Sequence, residues 1–194
     1  NKIEQKATKN LDITHNKIKK TKGLTKNAFK FMLQRLKSFI KKLKLKKQIT
    51  TWDKYSEKNT YSDNEEKKKI EIVENFIKKN KKINLLADLG CNDGKFSKVA
   101  IQNNVKNVIG FDFDLKVLDR NYLNSKENDY NILPLYLDFT NPSSNLGWND
   151  EERKSFNKRA KFDCILALAL IHHLVIAKNV PLKQVIIWLT SLAP

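Results

Sequence analysis

Asp88-Leu89-Gly90-Cys91-Asn92-Asp93-Gly94 closes an apolar run from Ile83 to Leu89 and opens a helix-like pattern from Phe96 to Gln102. A short apolar strand feeding a glycine turn that starts a helix presents backbone N–H groups and lets a ligand approach the main chain. The spacing is D-x-G-x-x-x-G, with an acid at the strand's end, rather than the G-x-G-x-x-G of pyrophosphate binders. A carboxylate there repels a pyrophosphate and suits a ligand with a cationic end. Gly90 and Gly94 allow close approach, and Asp88 is placed to reach an ammonium directly or through water.

Working outward, two further apolar segments end in acids. Asn107 to Phe111 runs into Asp112, 24 residues after Asp88. That is close to the offset of about 20 expected for an acid accepting hydrogen bonds from ribose hydroxyls. Asp114 reads as the N-cap of a helix from Leu115 to about Lys126. Asn131 to Leu137 ends in Asp138, where a carboxylate can accept from an adenine amino group with Phe139 beside the ring. Phe162 to Leu170 is almost wholly apolar, as a strand covered on both faces should be. After Gly147-Trp148, Asn149 with Asp150, Glu151 and Glu152 predicts a capped helix start. Substrate contact by Trp148 or Arg153 is the alternative there. Pro181 opens a helix through Val185, Ile186 and Leu189.

Strand–helix alternation of this kind predicts an α/β fold: a parallel, three-layer Rossmann-like sheet with right-handed crossovers. Four strands are visible, and the chain runs from Asn1 to Pro194, ending inside a helical pattern. We therefore expect a fragment whose sheet is cut after the fourth strand.

The fourth strand leads into Ile171-His172-His173-Leu174. Adjacent side chains diverge, and no carboxylate or cysteine sits at ligand spacing, so no metal site is expected. A capping or positioning role at the site's mouth and a general-base role both remain open for His172 and His173. Cys91 and Cys164 form neither a disulfide framework nor a zinc pattern and read as small buried residues. With no secretory signal and no run of about 18 apolar residues, the expected location is cytoplasmic.

The net charge of +17 is unevenly spread. Residues 1–50 hold 16 Lys+Arg against two acids, a net of +14, leaving 22 against 19, a net of +3, in residues 51–194. Only four of the 38 basic residues are arginines, the side chain that phosphate readers favour for its fork. Residues 1–23 are polar, Lys-rich and expected to be poorly ordered. Residues 24–50 form a basic amphipathic helix or linker, with Phe29, Met32, Leu33, Leu36, Phe39, Ile40 and Leu43 at helical steps. That helix either packs on another part of the protein or lies on an acidic membrane surface. Residues 51–194 form the ligand-binding domain, entered through an aromatic stretch from Trp52 to Tyr61.

The alternation and the acids Asp88, Asp112 and Asp138 resemble the class I S-adenosylmethionine-dependent methyltransferases, the glycine loop matching their motif I with Asn92 in place of the commoner Gly. Trp52, Tyr55, Tyr61, the Asp-Leu-Gly-Cys-Asn loop, Ile132-Leu133-Pro134-Leu135, Asn141-Pro142-Ser143, Gly147-Trp148, Glu152-Arg153 and Ala167 to Leu174 with Asn179-Val180-Pro181-Leu182 resemble the NoeA-type nodulation-protein methyltransferases more narrowly. The resemblance implies S-adenosylmethionine as cofactor. Asp88, Gly90, Asn92 and Gly94 would hold its methionine end, Asp112 the ribose and Asp138 the adenine. Cys91, Phe113 and Phe139 complete the expected binding set, and His172 or His173 is the candidate base. Three functions follow: methyl transfer to a small molecule or glycan, methyl transfer to RNA using the basic N-terminus, or a non-catalytic module held to a membrane or partner. The near-neutral domain favours the first over the second. No oligomeric state follows from the sequence.

Overall fold

A computed structural model describes residues 23–43, 63–80 and 82–193. The Lys-rich stretch 1–22 and the aromatic stretch Trp52–Tyr61 lie outside the described residues. The chain divides into two units, residues 1–46 and 47–194.

The first unit contains α1 (Lys26–Lys42), a 17-residue helix. Thr25 caps it by accepting from the Ala28 N–H at 3.2 Å, and Lys41 and Lys42 occupy the last turn, where cations suit the helix dipole. None of its residues is buried.

The second unit is a four-stranded, all-parallel sheet in the order β3-β2-β1-β4. Its strands are β1 (Leu85–Leu89), β2 (Asn107–Asp112), β3 (Ile132–Tyr136) and β4 (Cys164–Leu166). The helices are α2 (Asp63–Lys79), α3 (Lys95–Gln102), α4 (Leu115–Glu127), α5 (Phe156–Arg159) and α6 (Leu182–Leu192). This is the strand order of the first four strands of a doubly wound fold.

Side chains alternate across the sheet. Leu86, Val108, Ile132, Cys164 and Leu166 face Val73 and Ile77 of α2 and Val99 and Ala100 of α3. Ala87, Leu89, Phe111 and Leu137 face Phe156, Phe162, Val185 and Leu192. The three layers of the sequence reading are present. The Asp163 carboxylate ties the sheet's entry together, accepting from the Asn84 and Leu85 N–H groups at 2.8 and 2.9 Å.

Two local expectations fail. No helix starts at Asn149: Trp148–Asp150 forms a single tight turn with Asn149 and Asp150 at φ of 54° and 56°. Leu146 and Arg153 pair across it as an isolated antiparallel bridge, so closing this loop competes with helix formation. Helix α5 instead begins after Ser155, whose hydroxyl accepts from Lys158. The fourth strand is also shorter than its apolar run. β4 pairs with β1 over only three residues, and Ala169 at φ 56° turns the chain away. The non-helical crossover borders a mainly apolar hollow of about 430 Å³ over the second sheet face, lined by Leu85, Ile109, Leu135 and Phe156 among others.

Candidate functional site

The glycine loop continues directly off β1. The Gly90 and Cys91 N–H groups donate to the Phe111 carbonyl at 2.8 and 3.0 Å, which draws the loop over the end of β2. Gly90 and Gly94 stand at φ of 78° and 82°, the left-handed region that glycine enters without penalty. Gly94 is required on a second count: a Cβ there would lie 2.4 Å from the Asn121 Oδ1. Asn92 at φ 48° uses its side chain to accept from the Asp93 N–H at 2.7 Å.

The two acids ending β1 and β2 differ in role. Asp112 accepts from the Asn92 N–H on one oxygen and the Asp114 N–H on the other, each at 3.0 Å. The Phe113 N–H also donates to this carboxylate, which keeps acceptor capacity for a ligand. Burial pushes the Asp112 carboxyl above its ordinary range, against the pull of those N–H groups. Asp88 lies behind the loop, 2% exposed. The Ser97 hydroxyl of α3 donates to it at 2.6 Å, and the Ser97 N–H donates as well. Burial raises this carboxyl from 3.8 to about 6, the Ser97 hydrogen bond opposes the rise, and the nearby Asp112 adds to it.

Gly90, Asn92, Asp112, Phe113, Phe139, Leu168, Ala169, Leu170 and His173 line an open cleft at the carboxyl ends of the strands. Open α/β sheets bind ligands at that edge. Of the residues singled out in the sequence, the structure thus gathers Gly90, Asn92, Asp112, Phe113, Phe139 and His173. Asp88, Cys91 and Gly94 support the loop from behind. The Cys91 thiol is buried, 3.7 Å from the Asn121 Nδ2, and desolvation pushes its pKa far up, so it stays protonated. Asp138 is set apart. Its carboxylate accepts from the Thr140 N–H and hydroxyl at 2.9 and 2.7 Å, which lowers its pKa, and it borders the apolar hollow instead.

The His172 and His173 rings lie with centroids 4.0 Å apart, tilted by 41°. Only His173 reaches the cleft; His172 borders a shallow hollow with Ala167, Ile171 and Leu182. Burial and then the His172 charge lower the His173 pKa from 6.5, which favours the neutral, proton-accepting imidazole at neutral pH. Among the described residues no cluster of metal-ligating side chains occurs.

Sequence reasoning missed Ser97, Asn121 and Ala169. Asn121 is fully buried and accepts from the Ser125 hydroxyl at 3.1 Å while its amide faces the Cys91 sulfur. This pair props the glycine loop from the α4 side. The left-handed Ala169, in a conformation costing an L-residue about 1–2 kcal/mol, lines the same cleft as Asp112.

The chain is 44% identical over 177 residues to the nodulation protein NoeA of Rhizobium meliloti (strain 1021). Over that stretch the chain is similar to NoeA. The match covers 90% of this chain and 37% of that protein, so the chain spans little more than a third of its relative's length. No family model matches it. Among solved structures, WbdD aligns with a TM-score of 0.49 at 18% identity, over 81% of this chain and 33% of that one. The PH0226 protein of Pyrococcus horikoshii OT3 aligns at 0.46 and 22%, over 65% and 54%. The N-terminal domain of EvdMO1, solved with SAH and D-fucose, aligns at 0.43 and 15%, over 54% and 40%. The sheet order, the glycine loop after β1 and the acid ending β2 together make the Rossmann-like fold plain.

Proposed function

We propose that this chain binds S-adenosylmethionine and forms the cofactor half of a methyltransferase acting on a small molecule or glycan. The observation that carries this reading is Asp112. It is a buried carboxylate at the end of β2, held by the Asn92 N–H and lining the same cleft as Gly90. Two acceptor oxygens beside a backbone with no side chain at the turn match a ribose with vicinal hydroxyls. The ionised form of Asp88 behind the loop supplies negative potential toward an ammonium, and Phe113 and Phe139 offer ring faces to a base.

When bound, S-adenosylmethionine supplies an electrophilic methyl on its sulfonium. The chain's contribution is alignment for in-line attack, together with exclusion of water by Leu168, Leu170 and the two phenylalanines. His173 is the group that can take a proton from a weakly acidic acceptor, since it alone of the pair faces the cleft and is biased toward the neutral form. The net charge of +3 over residues 51–194 supports an uncharged acceptor over a polyanion.

Calorimetry of the chain with S-adenosylhomocysteine tests the cofactor assignment. Binding at one site is expected, and a folded chain that binds none would sink the reading. For the acceptor, labelled methyl transfer from S-adenosylmethionine is to be followed with oligosaccharides and small alcohols on one side and short RNAs on the other. Transfer to RNA alone would overturn the acceptor class. With an acceptor in hand, His173→Ala is expected to lower turnover about 100-fold. His172→Ala should change it less than about threefold, because that ring lies outside the cleft. Equal effects would remove His173 from its role.

A further inference from the structure

We propose that α1 is an in-plane anchor for anionic lipid surfaces, a role independent of the cofactor reading above. Its sequence, Lys-Asn-Ala-Phe-Lys-Phe-Met-Leu-Gln-Arg-Leu-Lys-Ser-Phe-Ile-Lys-Lys, contains six cations and no acid. Projected at about 100° per residue, Ala28, Phe29, Met32, Leu33, Leu36, Phe39, Ile40 and Leu43 share one arc about 140° wide. Lys26, Lys30, Lys37 and Lys41 border that arc on one side, and Arg35 and Lys42 on the other. Asn27, Gln34 and Ser38 fall on the far side, leaving only Phe31 out of place. Phe29, Met32, Leu33, Leu36, Phe39, Ile40 and Leu43 are each 45–61% exposed.

This order of side chains decides between polyanions. A nucleic acid needs cations along one stripe and gains nothing from an apolar arc. A lipid–water interface needs both: apolar groups in the acyl region and flexible lysines on either flank, reaching up to the headgroups. The surrounding residues 1–50, net +14, add attraction to an acidic leaflet. A spanning role does not arise, since no described helix is long and apolar enough to cross a membrane.

The test is co-sedimentation of the whole chain with vesicles of pure phosphatidylcholine and of equal parts phosphatidylcholine and phosphatidylglycerol. At least about tenfold stronger partition onto the mixed vesicles is expected. The double variant Leu36→Gln, Ile40→Gln keeps the charge and good helix formers but breaks the centre of the arc. It should lose most of that partition. The double variant Lys37→Gln, Lys41→Gln should lose the preference for phosphatidylglycerol. Absence of vesicle binding by the unaltered chain would show the arc to be covered by protein and overturn the proposal. So would partition that the Leu36→Gln, Ile40→Gln variant retains in full, which would mark charge-only capture of any polyanion.

Discussion

Asp112→Ala is expected to weaken S-adenosylhomocysteine binding at least about 100-fold, roughly 3 kcal/mol, the scale of two hydrogen bonds to a charged acceptor. The loss has two parts. The carboxylate's acceptor oxygens disappear from the cleft, and the Asn92, Phe113 and Asp114 N–H groups it holds are released. The fold should survive, because ionising this buried carboxyl already costs the folded state: burial has raised its pKa. A thermal midpoint within a few degrees of the unaltered chain checks that, alongside the titration. Asp138→Ala is the matched control. Its carboxylate serves the turn at Thr140 and lies outside the cleft lining, so binding should change less than about threefold, within the scatter of a lost local hydrogen bond. A loss of equal size in the two variants would mean that adenine is held at Asp138 and that the cleft lining understates the site.

The second large effect has opposite signs for stability and binding. The folded chain holds the Asp88 proton up to about pH 6, whereas the unfolded chain releases it near 3.8. The folded state binds more protons in that interval, so this group's contribution to stability is full below pH 4 and is lost as pH rises through 6. A shift of two units corresponds to about 3 kcal/mol. Asp88→Asn should flatten the pH dependence between 4 and 6 and stabilise the chain by about 1–3 kcal/mol at pH 8, read from denaturant unfolding at the two pH values. The same substitution removes the negative potential offered to the ligand's ammonium, so affinity for S-adenosylhomocysteine should fall about tenfold or more. In the unaltered chain affinity should decline as pH falls through about 6, as Asp88 takes up its proton. A destabilised Asp88→Asn chain at pH 8 would mean that Ser97 and its surroundings depend on the charge, and the burial argument would fail.

The parts of the site legible in the sequence are those set by strand ends. An apolar run that stops at an acid places that acid at the sheet's carboxyl edge whatever the details of packing, which is why Asp88 and Asp112 were readable. Asp138 shows the limit of the same rule. It ends the third apolar run as expected, but its carboxylate holds Thr140 and borders the apolar hollow rather than the cleft. Asn149 shows another. Its acidic followers fit a helix start, yet pairing of Leu146 with Arg153 closed a loop instead. Ser97, Asn121 and Ser125 went unread because small polar residues in helices read as solvent-facing. Asn121 and Ser125 in fact continue the buried stripe of Val117 and Leu118, so the helical period carried a signal that polarity masked.

The Asp163 clamp has a bearing on how the molecule assembles. β1, β2 and β3 meet at sequence separations of 22 to 24 residues, whereas β4 and the Asp163 carboxylate reach β1 across 78 or 79. Closing the longer loop costs more chain entropy before any contact is gained, which favours pairing of β1, β2 and β3 ahead of β4. The wall carrying Asp112 and the glycine turn belongs to the early, locally connected unit. The wall carrying Ala169 and His173 arrives only with the clamp.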